Sequence, residues 1–241
     1  MALQENERAQ RGRVAAVQRV GWMAGLSDEV SNKLIEQGML VRFEPGEYFY
    51  RPGDPPGGIY GIVSGAVRVE IATSETTSQL IGCFQAGAWT GQAPSLDGSG
   101  RTMGFAAIGN VNALHLPLAK VKTLAQEDQR IAEAIGSLST WNLNLALRAV
   151  GELTIRKADR RIATRLLGIA NYPFGIRGSE GWEIPLNQSE IAEVACCSRH
   201  NVNKVLGEFK RKGWIKKIGS RVVLTQPEAI ENFAGASVDQ E

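Results

Sequence analysis

The chain has 241 residues, of which 43% are apolar and 22% charged, and its net charge at pH 7 is +2. These proportions are typical of a folded globular protein and exclude disorder as the main state of the chain. No apolar run approaches the roughly 20 residues that span a bilayer, so we expect no membrane association and a cytoplasmic location. Three cysteines are too few and too badly spaced for a disulfide framework, which fits a reducing compartment.

The charge is spread unevenly along the chain. Residues 157–225 hold 13 Lys and Arg against 6 Asp and Glu, a local excess of +7, while the rest of the chain carries −5. A compact basic block joined to a mildly acidic remainder indicates a module for a polyanion attached to a domain with another task. Charge alone leaves a solvated basic surface as the alternative.

The N-terminal half changes from a short helix to β structure. "GLSDEVSNKLIEQG" predicts a helix with Ser27 as N-cap and Gly38 as its end. From Val41 to about residue 117, β-type runs of about five residues alternate with Gly- and Pro-rich turns. This pattern predicts a compact antiparallel barrel or roll.

A long helix follows. "EDQRIAEAIGSLSTWNLNLALRAVGELTIRK" is helical in period for about 30 residues, or about 45 Å. Four of its apolar residues recur at the spacing of a two-stranded coiled coil: Leu143, Ala146, Val150 and Leu153. Leu138, Trp141 and Leu145 lie elsewhere on its surface and are expected to pack on the roll. We predict homodimerisation through this helix, with a wholly intramolecular core helix as the alternative.

The C-terminal part has the pattern of a winged helix-turn-helix. An amphipathic helix over 159–171, with Asp159 as a candidate N-cap, leads through a loop and the β run "WEIPL" to "NQSEIAEVACCSRHNVNKVLGEFKRKG". In that stretch Ser198 is the expected N-cap of a second helix, and Cys196 lies at the turn, where a left-handed backbone is common. "GWIKKIGSRVVLT" then supplies the β hairpin that forms the wing.

The exposed residue types at the start of that second helix suit double-stranded DNA, because Arg and Lys match guanine and Asn matches adenine in the major groove. The candidates for contact with base edges are Arg199, His200, Asn203 and Lys204. The candidates for contact with DNA phosphates are Ser198, Asn201, Lys210, Lys216 and Arg221.

With these motifs and "YRPGDPPGGIYGIVSGAVRV" (residues 50–69) and "ADRRIATRLLGIAN", the chain resembles the cyclic-AMP receptor protein and Fnr family of bacterial transcription regulators. The resemblance covers about residues 22–230. It implies an α+β fold with an N-terminal antiparallel β-roll, a long central dimerisation helix and a C-terminal winged helix-turn-helix. The implied domains are an arm (1–20), the roll (21–125), the central helix (126–157), the DNA-binding domain (158–230) and a tail (231–241).

The same resemblance implies a DNA-binding regulator that acts as a homodimer on an inverted repeat, with RNA polymerase as a further partner. The roll would sense a signal through residues that match the family's phosphate cassette: Gly91, Gln92, Arg101 and Thr102. Gln92 stands where cyclic-nucleotide-binding members have glutamate. On the long helix, Ala146-Leu147 replaces the hydroxyl pair that reaches the base in those members, and Asn142 and Asn144 are the polar residues nearby. A cyclic nucleotide, another small anion and no ligand at all therefore remain open, and a structural salt bridge is the alternative role for Arg101.

Other classes fit less well. Residues 1–40 contain no cysteine for an iron-sulfur cluster, and His115 is the one histidine outside the DNA-binding part that haem could use. Cys196, Cys197 and His200 lack the spacing of a metal site, and no catalytic motif is present, so neither a metal nor an enzyme is predicted. A cyclic-nucleotide-binding-like protein that controls a protein partner instead of DNA is the alternative function. A redox role for Cys196 and Cys197, with thiol pKa values lowered by Arg199 and the helix N-terminus, is a further hypothesis.

Overall fold

The computed structural model describes residues 14, 16–72, 78–219 and 221–235. Most of the predicted arm, residues 1–13 and 15, and the tail from residue 236 lie outside the described residues. The chain divides into two compact units, one of residues 1–79 with 84–144 and one of residues 80–83 with 145–241. No described helix is long and apolar enough to cross a membrane.

After a 3-10 turn at Gly21–Gly25, the helices are α1 (Asp28–Glu36), α2 (Gln92–Asp97), α3 (Leu118–Glu127), the central helix α4 (Gln129–Leu153), α5 (Ala158–Ile169), α6 (Gln188–Val194), α7 (Arg199–Arg211) and α8 (Pro227–Gly235). The strands are β1 (Met39–Phe43), β2 (Tyr48–Tyr50), β3 (Gly58–Ile71), β4 (Gln79–Gln85), β5 (Trp89–Thr90), β6 (Met103–Pro117), β7 (Trp182–Ile184), β8 (Ile215–Ile218) and β9 (Arg221–Leu224).

The first unit is built on an antiparallel β-roll, as the sequence predicts. Its strands β1, β6 and β3 lie side by side in that order, with β2 also on β6 and β5 also on β3. The two long strands β3 and β6 pair from Gly58 opposite Pro117 to Ile71 opposite Met103. The interior between them is apolar and aromatic, with Phe49, Ile62 and Phe105 almost fully buried.

The first half of the central helix packs on a second apolar cluster of this unit. Ile131, Ile135 and Leu138 are buried there beside Trp22. The indole Nε1 of Trp22 donates to Ser137 Oγ at 2.9 Å, which fixes the N-terminal turn on the helix. The predicted helix α1 is confirmed, and the Ser27 side chain accepts a hydrogen bond from Val30 N at its start.

Two helix predictions are wrong in detail. The central helix has 25 residues instead of about 30, because it begins at Gln129, after the extended Asp128 (φ −142°), and ends at Leu153, four residues before Lys157. Its length is therefore about 37 Å. Asp159 is not an N-cap: Lys157 takes that position, and Asp159 lies in the first turn of α5, where its charge still favours the positive end of the helix dipole.

The second unit contains the winged helix. Its sheet has the order β7-β9-β8, and β8 pairs antiparallel with β9 from Ile215 opposite Leu224 to Ile218 opposite Arg221. After this hairpin the chain continues into α8, a helix that the sequence analysis did not predict and that packs on α5. Pro227 at the first helical position was an available signal for that helix.

Candidate nucleic-acid interface

A capping box starts the first helix of the helix-turn-helix. Asn187 Oδ1 accepts hydrogen bonds from the backbone N–H groups of Ser189 and Glu190, at 2.9 and 3.1 Å. In return, Glu190 Oε2 accepts from Asn187 N at 2.8 Å. The sequence analysis missed this box, although the Asn-x-x-Glu spacing before an apolar run is its usual signature.

The apolar sides of α6 and α7 are buried. Ile191 and Val194 of α6 are 0% and 3% exposed, and Val202, Val205 and Leu206 of α7 are 5% exposed or less. Burial of this side leaves the opposite side of α7 facing solvent.

The turn between the helices takes the left-handed conformation that its position predicted. Cys196 has φ +47°, a conformation that is uncommon for a residue other than glycine. Ser198 then caps α7, because its Oγ accepts from Asn201 N at 3.2 Å. The capped N-terminus carries the positive end of the helix dipole, which suits a nearby anion.

The four candidates for contact with bases lie together at this end of α7. Arg199, His200, Asn203 and Lys204 are all exposed and fall within its first two turns. Asn201, by contrast, is half buried between them.

The cationic candidates for phosphate contact differ in whether they already form an ion pair. Lys210 is exposed in the last turn of α7. In the wing, Lys216 is paired with Glu180, and Arg221 Nη1 lies 3.4 Å from Glu183 Oε2. The hydrogen bond from Lys216 lowers the pKa of Glu180. Both pairs are exposed, so a phosphate group can compete for these cations at small cost.

Cys197 does not have the activated thiol that the redox hypothesis expects. Partial burial raises the pKa of the Cys197 thiol and outweighs the opposite effect of Arg161. The expectation of a lowered pKa is therefore wrong for Cys197, because desolvation disfavours the thiolate. Burial also raises the pKa of Cys83 to about 12. No group of His, Cys, Asp and Glu among the described residues could hold a metal ion.

Three of the four effector candidates converge in the roll. Gly91 is left-handed at φ +98°, and a Cβ there would lie 2.5 Å from Gly58 O and 2.8 Å from an Arg101 Nη. Gln92 and Arg101 are 6% and 4% exposed. Thr102, in contrast, is exposed.

Arg101 is held by backbone oxygens. Nη1 donates to Gly91 O at 3.1 Å, and Nη2 donates to Gly58 O at 3.0 Å. The guanidinium lies 3.9 Å from the ring centroid of Tyr50. Within the described residues Arg101 forms no ion pair, and its buried Nε has no hydrogen-bond partner. An enclosed guanidinium with an unsatisfied donor fits a small anion, including the phosphate of a cyclic nucleotide.

Gln92 connects this cassette to the central helix. Asn142 Nδ2 donates to Trp89 O at 3.0 Å and to Gln92 Oε1 at 3.3 Å. Gln92 Oε1 therefore already accepts a hydrogen bond from the protein.

An apolar stripe on the central helix is exposed in the single chain. Leu143 is 56%, Val150 60% and Leu153 39% exposed, and Ala146 is exposed as well. Leu147, 58% exposed, extends the stripe, and the sequence analysis did not include it among the candidate interface residues. Its spacing of four from Leu143 and three from Val150 is also that of a coiled coil.

Comparison with known proteins gives two family matches in the order of the two units. The cyclic nucleotide-binding domain matches residues 40–128, and the Crp-like helix-turn-helix domain matches residues 160–233. A CRP-like cAMP-activated global transcriptional regulator of Mycobacterium tuberculosis is 24% identical over 218 residues, which cover 90% of this chain and 97% of the relative. The cAMP-activated global transcriptional regulator Vfr of Pseudomonas aeruginosa is 25% identical over 71% of this chain and 82% of its own.

Solved structures show the same fold. FixK2 from Bradyrhizobium japonicum has a TM-score of 0.69 at 19% identity, over 83% of this chain and 98% of that chain. The Crp-like helix-turn-helix match supports a DNA-binding regulator, not the alternative of a protein that controls only another protein. The chain belongs to the Crp/Fnr family of transcription regulators.

Proposed function

We propose that the protein acts as a homodimer on an inverted-repeat operator and reads bases with Arg199, His200, Asn203 and Lys204. The observation that carries this proposal is the clustering of these four exposed side chains at the capped N-terminus of α7. In a helix-turn-helix dimer, two such helix ends enter major grooves about 34 Å apart. The exposed stripe on the central helix supplies the surface for the second copy.

The proposal separates base reading from phosphate binding, and the two can be measured separately. A bidentate contact to a base supports about 1–3 kcal/mol of discrimination, whereas a phosphate contact strengthens binding to all sequences equally. Arg199→Ala should therefore lower affinity for the preferred operator and leave affinity for random duplex nearly unchanged. Lys210→Ala should weaken both and reduce the salt slope by about one for each contact that is lost.

The test is fluorescence anisotropy with an operator selected from a random pool, at several salt concentrations. Lys120→Ala is the matched control, because Lys120 is an exposed cation in the first unit, outside the DNA-binding domain. Failure of the purified wild-type protein to prefer any duplex over random DNA would refute the proposal. Equal losses on operator and random duplex for Arg199→Ala would remove that residue from base reading.

We further infer that an anion in the roll changes DNA affinity through Gln92 and Asn142. The enclosed Arg101 guanidinium and its unsatisfied Nε support binding of a phosphate or carboxylate. The Asn142 hydrogen bond to Gln92 supports a link from the cassette to the central helix. The two relatives reported above are named cAMP-activated, and a structural neighbour from Xanthomonas campestris is described as c-di-GMP responsive, so the test includes both nucleotides.

The experiment compares operator affinity with and without each nucleotide in wild type, Asn142→Ala and Asn144→Ala. Asn144 is the matched control, since it is an exposed residue of the same type on the same helix. We expect an effector to change wild-type affinity about tenfold, equal to about 1.4 kcal/mol of coupling. Asn142→Ala should lose this response and Asn144→Ala should keep it. An unchanged response in Asn142→Ala would refute the link.

We also propose RNA polymerase as a partner and the cytoplasm as the site of action, in keeping with a transcription regulator. Co-sedimentation of the operator-bound dimer with RNA polymerase tests the first of these. Absence of a ternary complex on an operator placed near a promoter would contradict it.

A further inference from the structure

Glu152, in the last turn of the central helix, is a carboxylate enclosed within the second unit. The residue is 6% exposed, and its Oε2 lies 2.9 Å from Nη1 of Arg165, which is equally enclosed. Gly168 makes room for the carboxylate, because a Cβ at that position would lie 3.3 Å from Oε2. Arg148, a partly exposed residue, binds the other oxygen at 3.2 Å. A buried ion pair carries a large desolvation cost, and hydrophobic residues of the same volume often stabilise a fold equally well or better. Stability alone therefore does not account for the Glu152–Arg165 pair.

Arg165 connects this carboxylate to the helix-turn-helix. Its Nε donates to Val194 O, the last residue of α6, at 3.3 Å. Its Nη2 donates to Ile81 O at 3.0 Å, within the segment 80–83 that belongs to the same unit. All three nitrogens of one planar guanidinium are thus engaged in fixed directions, which a flexible or apolar side chain could not reproduce.

Arg161, one turn earlier on α5, makes a parallel set of contacts. It donates from Nη1 to Ile155 O at 2.6 Å, from Nε to Ala195 O at 2.9 Å and from Nη2 to Cys196 O at 3.2 Å. The two arginines therefore bind three successive carbonyls, those of residues 194–196, at the negative end of the α6 dipole. These carbonyls immediately precede the turn and Ser198, which starts the recognition helix α7.

We propose that the Glu152–Arg165 pair is a positioning element that fixes the direction of the recognition helix relative to the end of the central helix. In a dimer joined through the central helices, this direction sets the separation of the two recognition helices and hence the operator spacing that is accepted. The proposal rests on the proposed function, because a preferred spacing exists only for a dimer on two half-sites.

The test measures affinity for a series of inverted repeats whose half-sites are moved apart or together by one and two base pairs. For wild type we expect a loss of about tenfold when the spacing departs from about one helical turn. Glu152→Gln should reduce this preference to about threefold or less while keeping affinity for a single half-site. Arg148→Gln is the matched control: it removes the exposed partner of the same carboxylate and should keep the wild-type preference.

A uniform loss of affinity at every spacing in Glu152→Gln, with the preference unchanged, would overturn the proposal, since that is what a merely stabilising pair predicts. If Glu152→Gln does not fold, the double variant Glu152→Leu with Arg165→Met replaces the pair by apolar side chains. The same reduced spacing preference is then expected of the double variant, and an unchanged preference would overturn the proposal.

Hydrogen exchange of the free protein distinguishes failure of this proposal from failure of the proposed function. Faster exchange over residues 152–157 and 194–198 in Glu152→Gln, with the middle of α7 unchanged, supports positioning even if wild type binds no inverted repeat. Unchanged exchange in those segments overturns it whatever DNA is bound.

Discussion

Truncation of Leu147 to alanine tests whether the exposed stripe on the central helix is the dimer interface. Leu147 is 58% exposed in the single chain, and Leu143 and Val150 on either side of it are 56% and 60% exposed. Complete burial of a leucine side chain is worth about 1.5–3 kcal/mol, so covering the exposed part of Leu147 contributes about 1–1.7 kcal/mol.

The residue occurs twice in a symmetric dimer, which doubles its effect. Because alanine keeps part of the apolar surface, Leu147→Ala should weaken dimerisation by about 2 kcal/mol, or about 30-fold in the dissociation constant. Operator affinity at low protein concentration should fall with it, since a monomer presents one recognition helix instead of two.

Sedimentation velocity of fluorescently labelled protein over a concentration series measures the dimer dissociation constant. Met39→Ala is the matched control, because Met39 is 53% exposed but lies on strand β1 instead of the stripe. The assignment of the interface is refuted if Leu147→Ala dimerises as tightly as wild type, or if Met39→Ala weakens dimerisation to the same degree.

Two further predictions concern stability. The side chains of Arg130 and Lys33 hold the pKa of Asp128 below its ordinary value of 3.8, so ionised Asp128 stabilises the fold above that pH and the contribution is lost as the pH falls. Asp128→Asn should therefore melt at a lower temperature than wild type at pH 7 in calorimetry, and the difference should shrink below about pH 4; a constant difference would contradict the ion-pair explanation. Cys196→Gly should raise the free energy of unfolding, measured in urea, by about 1 kcal/mol, because glycine removes the strain of a side chain in the left-handed conformation. Cys197→Gly should lower the free energy of unfolding. Equal effects of the two substitutions would rule out backbone strain as the cause.

Sequence patterns were sufficient to predict the elements whose side chains alternate regularly between core and solvent. The roll, the recognition helix with its cap Ser198, and the left-handed position of Cys196 follow from periodicity and turn chemistry, and the structure confirms them. The N-cap of α5 was assigned wrongly because Asp159 was chosen by residue type, whereas the N-cap is Lys157, two residues earlier, and the backbone is helical from Ala158.

The contacts of Glu152, Arg161 and Arg165 could not be predicted in the same way. A charged residue on an amphipathic helix is by default exposed, and no periodic signal marks one that pairs across two helices. Whether the Arg101 guanidinium binds a carboxylate or backbone oxygens likewise depends on which loops of the roll meet, and that is a property of the tertiary structure.

The contacts of Arg161 and Arg165 reduce the number of basic residues in 157–225 that can bind DNA phosphates. Of the 13 basic residues in 157–225, Arg161 and Arg165 are committed to carbonyls and Glu152 inside the unit. The cationic candidates for phosphate contact are Lys210, Lys216 and Arg221. Three per subunit give six in a dimer, and at about 0.9 per phosphate the logarithm of affinity should fall with the logarithm of salt concentration with a slope of about −5.

A much steeper slope would mean that further cations of the block reach the DNA. A slope of about −2, from Lys210 alone in each subunit, would mean that Lys216 and Arg221 stay paired with Glu180 and Glu183 in the complex. Glu180→Gln distinguishes these cases: release of Lys216 should strengthen binding to random duplex and operator by the same factor, because a phosphate contact carries no sequence information.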